Sequence, residues 1–401
     1  MKDLPTPPAR FTFTNRAVYL ATLSTLCFFL LLSLYRAYPY LDDVSLATSA
    51  GNDWLTYKQN ALCILRGGLS MPCVERGYHL PGGFLYNYFL AAVFALFGEN
   101  SSYVYLIHAS MLACTVGLPT LAFKPYLTPK ATLIYFTGLL FVALFDVYIF
   151  YTFRLLSENL VLLLLSLFYL LVLRTFERRS LLLAALAGAM LGLCVLCRQN
   201  LILLAPSTAA LLFVYLKRRP RRALISATYA LSFCLVFSLL PLRNYAATGE
   251  PSIPLIRHGV RDFASSLTPA EPLTPASVRE KMPAALDFYA RRILFCAGLT
   301  TSLGLPLYWL KPHWTLMWIG ALVYALRLLR RRRVEFWEGF AFTFLLMYLA
   351  PLIAVGDVHN YGVRMVLPVV PVLLLLAVSA LNRSDSCERL SEAAVPRAAH
   401  D

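Results

Sequence analysis

The stretch "SENLVLLLLSLFYLLVLRTFERR", Ser157 to Arg179, has an acid near its start, a long apolar run in its middle and three arginines at its end. It reads as part of one membrane-crossing helix over roughly residues 153 to 175, with Glu158 near one bilayer face and Arg174, Arg178 and Arg179 at the other. The rest of the chain repeats the pattern. Hydrophobic residues make up 59% of its 401 residues and charged residues 14%, with a mean hydropathy of +0.64, far too apolar for a soluble domain. The expected fold class is all-α, a polytopic membrane protein. Most of the chain lies in apolar runs, so one transmembrane domain over residues 1–381 is expected, followed by a disordered cytoplasmic tail at 382–401.

Basic clusters set the orientation. Lys2, Arg10 and Arg16, then Lys124 and Lys130, Arg174, Arg178 and Arg179, "KRRPRR" at 217–222 and "RLLRRRR" at 327–333 should all be cytoplasmic. Ten spans satisfy this, at roughly 17–35, 103–123, 131–151, 153–175, 180–197, 200–216, 223–241, 313–329, 334–355 and 362–381, with both termini inside. The first ends in "SLYRAYPY" without a small-residue cleavage site and reads as an uncleaved span. Two other runs, 84–98 and 293–310, are short or broken by Gly, Pro, Ser and Thr, and counting the first as a crossing would invert the clusters behind it. Both are expected to be interfacial or re-entrant helices within two long outer loops, 36–102 and 243–312.

The formal charge of +15 does not point to nucleic acid, because the basic residues lie in short clusters between apolar runs. The nine cysteines show no metal-ligand spacing, and no metal-binding triad appears. Cys63 and Cys73 share the first outer loop, where either a disulfide or two free thiols would be consistent with the sequence.

That outer loop carries the first chemical signal. "GNDWLTYKQNALCILRGG", Gly51 to Gly68, reads as a short amphipathic helix with the spacing D-W-x-x-Y-x-x-x-A-x-x-I-L-x-G, in which Asp53, Tyr57, Ala61 and Gly67 fit the frame. This resembles the opening motif of the GT-C membrane glycosyltransferases, in the branch of the protein O-mannosyltransferases and the lipid A aminoarabinose transferases. The resemblance continues in chain order through "YHLPGGFLYNYFLAAVFALFG" at 78–98, "SENLVLLLLSL" from 157, "GAMLGLCVLCRQNLILLAP" at 188–206, "PLRNYAATGEPSIP" at 241–254 and "YGVRMVLPVVPVLLLL" at 361–376. In the last of these Met365 stands where Tyr is usual.

The resemblance implies an enzyme that moves a sugar, with inversion, from a polyprenyl-phosphate donor to a lipid, glycan or protein acceptor on the extracytoplasmic face of a plasma or inner membrane. An acceptor hydroxyl needs a general base, for which Asp53 is the candidate and Asp42 and Asp43 the runners-up. The departing lipid phosphate calls for guanidinium groups, and Arg154, Arg198, Arg243 and Arg364 all fall at expected outer ends of spans. Lys58, His79, Glu158 and His359 complete the candidate donor- or acceptor-binding set. A carboxylate site of this kind could recruit a divalent cation.

Blander readings stand beside these. Asp42 and Asp43 would serve equally as helix caps, the arginines as interfacial anchors and His359 as a loop cap. Glu158 either pairs with Arg154, one helical turn away, or belongs to the site. Asn100-Ser101-Ser102 is a glycosylation sequon close to the membrane. The rival function is a transporter or flippase of a lipid-linked saccharide, for which inverted repeats and midplane charges would be expected, and neither is apparent.

Overall fold

The computed structural model describes residues 53–67, 84–145, 152, 154–216, 221–248, 251, 312–331, 334–355 and 367–381. Among them the chain is helical, without strands. Its α-helices are α1 Asp53–Gly67, α2 Phe84–Phe97, α3 Ser101–Phe123, α4 Pro129–Phe145, α5 Glu158–Arg178, α6 Leu181–Cys197, α7 Leu204–Tyr215, α8 Arg222–Phe237, α9 Leu239–Thr248, α10 Pro312–Arg330, α11 Phe336–Val355 and α12 Val370–Leu381. The expected spans at 17–35 and the run at 293–310 lie outside the described residues.

Three continuous stretches, Ser101–Tyr126, Glu158–Arg178 and Arg222–Ala246, are long and apolar enough to cross a bilayer, and several shorter apolar helices accompany them. The outward side chains have the character of a lipid-facing surface. On α8, Leu231 is 73% exposed and Leu235 70% exposed, while Tyr229 on the other face is fully buried.

Local chemistry sets the helix ends. The Asn100 side chain accepts from the Ser102 N–H at 2.9 Å and caps α3, so the asparagine of the sequon is occupied as a helix cap. Arg179 takes a left-handed conformation, with φ of 56°, and stops α5. Ser180 then caps α6 by accepting from Leu183 N–H, so two residues reverse the chain. Serine and threonine hydroxyls inside the apolar helices donate back to their own turn, as Thr115 does to Met111 and Ser166 to Leu162.

Glycines allow the tightest contacts. α6 presents Gly188 and Gly192 to α8, and a Cβ on Gly188 would sit 2.1 Å from the Tyr229 carbonyl oxygen. Similarly, α10 meets α12 at Gly320, where a Cβ would come within 2.6 Å of the Ala377 Cβ. Small residues let helix backbones approach where dispersion, with no hydrophobic effect between helices, must hold them together.

Among the described residues, Lys124, Arg174, Arg178, Arg327 and Arg331 gather at one end of the bundle. There the Tyr126 hydroxyl donates to Glu177 at 3.0 Å, Arg174 pairs with Glu177 at 2.7 Å, and Phe176 stacks on Phe336 with ring centroids 4.1 Å apart. Tyr324 hydrogen-bonds to buried Glu338, which also accepts from the Glu335 N–H at 2.7 Å, and Arg327 caps the end of α12 at the Ala380 carbonyl. We refer to this as the basic end. Helix α2 stays away from it: near its start Tyr86 meets His108, seven residues into α3, and at its other end Phe97 stacks on Tyr103. Both ends of α2 therefore lie along the half of α3 remote from the basic end.

The glycine contact generates a prediction. Alanine favours a helix over glycine by about 1 kcal/mol, yet Gly188→Ala should destabilise by about 1–3 kcal/mol, because the new methyl meets backbone rather than a movable side chain. Gly138→Ala, whose Cβ would meet only the Leu374 side chain, should change stability by less than about 1 kcal/mol. Thermal unfolding of the two variants in the same detergent compares them, and equal midpoints would contradict this packing.

Candidate active site

At the end remote from the basic clusters, the first residue of α5 and the residue that closes α6 meet. Arg198 Nη2 lies 2.5 Å from Glu158 Oε1, with the Glu158 side chain 3% exposed and that of Arg198 11%. Burial opposes the charge on Arg198, but the Glu158 carboxylate outweighs it, and the guanidinium pKa is raised. Tyr348, fully buried in the second half of α11, lies within hydrogen-bonding reach of Arg198 and Asn200.

The helix expected to carry the base docks on this node. α1 turns Tyr57, Asn60, Ala61 and Ile64 toward the bundle, and Ala61 is fully buried, while Thr56, Gln59 and Arg66 face away. Tyr57 packs edge-on against Tyr86 of α2, with centroids 5.0 Å apart, and also lies close enough to Arg198 to interact electrostatically with it. Tyr86 in turn is held by His108. The His108 Nδ1 is 3.2 Å from the Thr152 carbonyl, which can only accept, so Nδ1 carries the proton and Nε2 accepts from the Tyr86 hydroxyl at 3.2 Å. Thr152 continues the chain toward Asn159, beside Glu158, at 3.5 Å.

Of the residues expected from the sequence, Glu158 and Arg198 are brought together directly. Asp53 opens α1, one turn before Tyr57 in the helical register; its side chain lies outside the described set. Lys58 follows Tyr57 and is half-buried. Arg154 lies in the bend before α5, and Arg243 lies on α9, whose Leu240 packs with Leu196 and Phe84. Asp42, Asp43, His79, His359, Arg364 and Cys73 lie outside the described residues.

One expectation is corrected. The span expected from residue 153 would carry Arg154 on the same helix as Glu158, but α5 begins at Glu158, and the ion pair seen there joins Glu158 to Arg198, forty residues along. Tyr86, His108 and Tyr348 were not among the residues expected at the site. His108 carried a readable signal, because an ionisable residue within an apolar span is costly unless it is partnered. Among the described residues no three His, Cys, Asp or Glu side chains gather as a metal site.

Because the pair is buried, removing one partner strands the other charge. Glu158→Gln should cost about 3–5 kcal/mol of stability, and replacing both partners by apolar residues, as in Glu158→Leu with Arg198→Met, should recover much of the loss. Unfolding midpoints of the single and double variants measure this, and an additive loss in the double variant would contradict it.

Comparison with known proteins agrees with this architecture. Residues 81–242 match the family model described as dolichyl-phosphate-mannose-protein mannosyltransferase. Among curated proteins, none matches the chain. The oligosaccharyltransferase of Archaeoglobus fulgidus in its apo form superposes with a TM-score of 0.55 at 15% identity, covering 93% of this chain and 52% of its own. The archaeal oligosaccharyltransferase AglB from the same organism, in complex with an inhibitory peptide and a dolichol-phosphate, gives 0.54 at 16% identity, covering 95% and 52%. The chain thus spans about half the length of these solved structures. Residues 81–242 are thus similar to the dolichyl-phosphate-mannose-protein mannosyltransferase family, and the chain shares the overall fold of the archaeal oligosaccharyltransferase.

Proposed function

We propose that the chain transfers a sugar from a polyprenyl-phosphate donor to a lipid, glycan or protein acceptor, with inversion, on the extracytoplasmic side of a plasma or inner membrane. One observation carries the reading: α1, which Asp53 opens, docks through Tyr57 on the end of the bundle that holds Glu158 and Arg198, opposite the basic clusters. Basic clusters mark the cytoplasmic side of membrane proteins, which supports an outward-facing site. A second support is that Cys63 on α1 is disulfide-bonded, and disulfides persist in oxidising compartments.

In this reading Asp53 takes the proton from the acceptor hydroxyl as its oxygen attacks the anomeric carbon. The bond from that carbon to the phosphate oxygen breaks in the same step, and the polyprenyl phosphate leaves with the bonding electrons. One base on one face and a leaving group on the other give inversion, and no covalent sugar–enzyme intermediate is needed. Asp42 and Asp43 are the alternative bases. Lys58, His79, Arg154, Arg243, His359 and Arg364 are assigned to donor or acceptor binding, and Glu158 with Arg198 holds the site together. A divalent cation, if used, would be held by the outer-loop carboxylates and would supply charge for the leaving phosphate.

The test is Asp53→Asn, which keeps size and hydrogen bonding but removes basicity. Turnover measured with a polyprenyl-phosphate sugar should fall roughly a hundredfold or more, while donor binding persists. Asp42→Asn and Asp43→Asn should reduce it far less. Near-normal transfer by a well-expressed Asp53→Asn enzyme would overturn the assignment of the base. A protein that moves the donor across the bilayer without transferring the sugar would overturn the reading itself.

A further inference from the structure

Two arginines stand at the Glu158 end in opposite chemical states. Arg198 is neutralised, its guanidinium locked on Glu158 and close to Tyr348. Arg243 on α9 is not. Its Nη1 donates to Oδ1 of the neighbouring Asn244 at 3.1 Å, while Nε and Nη2 are sealed from solvent and have no hydrogen-bond partner. Leaving buried N–H groups of a cation without acceptors is expensive, and such groups in native structures generally answer to a ligand, ion or water.

The identity of the two open atoms is informative. Nε and Nη2 share one edge of the guanidinium plane, and their N–H bonds run parallel, the arrangement that grips two oxygens of one phosphate or carboxylate. Nη1, on the other side, is already used. The chain has therefore fixed Arg243 by one corner and left its two-pronged edge open.

The surroundings place this edge beside the proposed chemistry. Leu240, one turn before Arg243, is fully buried and packs with Leu196, two residues before Arg198, and with Phe84, the first residue of α2. One turn along α2 from Phe84, Asn87 is also fully buried, and neither its amide oxygen nor its amide nitrogen has a partner. Two unpartnered polar side chains thus stand one turn from the same three-helix contact, on different helices. Residue-by-residue chance is a poor account of that, and a polar ligand entering the contact satisfies both.

We propose that the Nε/Nη2 edge of Arg243 receives the phosphate of the polyprenyl-phosphate donor, and that Arg198 is a positioning residue that does not bind it. This rests on the reading of the chain as a transferase with a lipid-phosphate donor. It divides the arginines that the sequence treats alike: one completes the fold and one holds the leaving group.

The experiment uses the purified full-length protein in detergent and a sugar-free decaprenyl phosphate probe, with decaprenol and inorganic phosphate as comparison ligands. The wild-type protein should bind the phosphate lipid more tightly than the alcohol. Arg243→Gln should weaken decaprenyl phosphate binding about tenfold or more and leave decaprenol binding unchanged. Arg243→Lys, which keeps the charge but not the fork, should fall between them and provides the comparison should the glutamine variant fail to fold. Unchanged decaprenyl phosphate binding in either folded variant overturns the proposal. Inorganic phosphate that binds as tightly as the lipid, with the same dependence on Arg243, assigns the edge to a free anion and also overturns it. A wild-type protein that does not distinguish the phosphate lipid from the alcohol would instead defeat the donor reading, a different failure from insensitivity to Arg243.

Discussion

The Glu158–Arg198 ion pair is the constraint on which the site end depends. α5 and α6 are antiparallel neighbours joined at the basic end by two residues, Arg179 in a left-handed turn and Ser180 as a cap. The chain clasps the hairpin there, and the ion pair clasps it at the other end. Desolvating two charges is costly, and the cost is tolerated only where geometry is close and the remaining polar atoms are engaged. Tyr348 from α11 and Tyr57 from α1 supply that surrounding polarity, so the pair that closes one hairpin also collects two further elements. Stability and site geometry are the same arrangement seen from two sides.

Around this clasp the bundle has two ends with different chemistry. At the basic end, glutamates are held by arginines and tyrosines, as Glu177 is by Arg174 and Tyr126, and Glu338 by Tyr324 and Arg331. Its role is structural: it ties α3, α5, α10, α11 and α12 together where they emerge. At the opposite end the polar groups converge instead on a short amphipathic helix. The relay from Thr152 through His108 to Tyr86 fixes the ring on which Tyr57 rests, and so fixes the helix that opens with Asp53.

Much of this was legible in the sequence. Long apolar runs gave the helices, the spacing of basic clusters gave their common end, and the frame from Asp53 to Gly67 became the helix α1 with Ala61 buried as the frame requires. What the sequence did not show were contacts between residues far apart along the chain. Glu158 had a tempting partner four residues earlier, yet the helix that would align them starts too late, and the partner comes from the end of another helix. His108 could have been suspected from its cost in an apolar span, but its partners on α2 and in the segment before α5 depend on packing that no local pattern encodes. The distinction between Arg198 and Arg243 is likewise invisible in sequence, where both are lone arginines after an apolar run.

We propose that lipid-linked sugar chemistry takes place at the end that holds Glu158, Arg198 and Arg243. The most direct measurement is an electron cryomicroscopy map of the protein with a bound, non-transferable polyprenyl-phosphate sugar analogue. The account predicts phosphate density within about 3 Å of a guanidinium nitrogen at that end, beside α1 and α9. Phosphate density among the arginines of the basic end, with the Glu158 end empty, would contradict it.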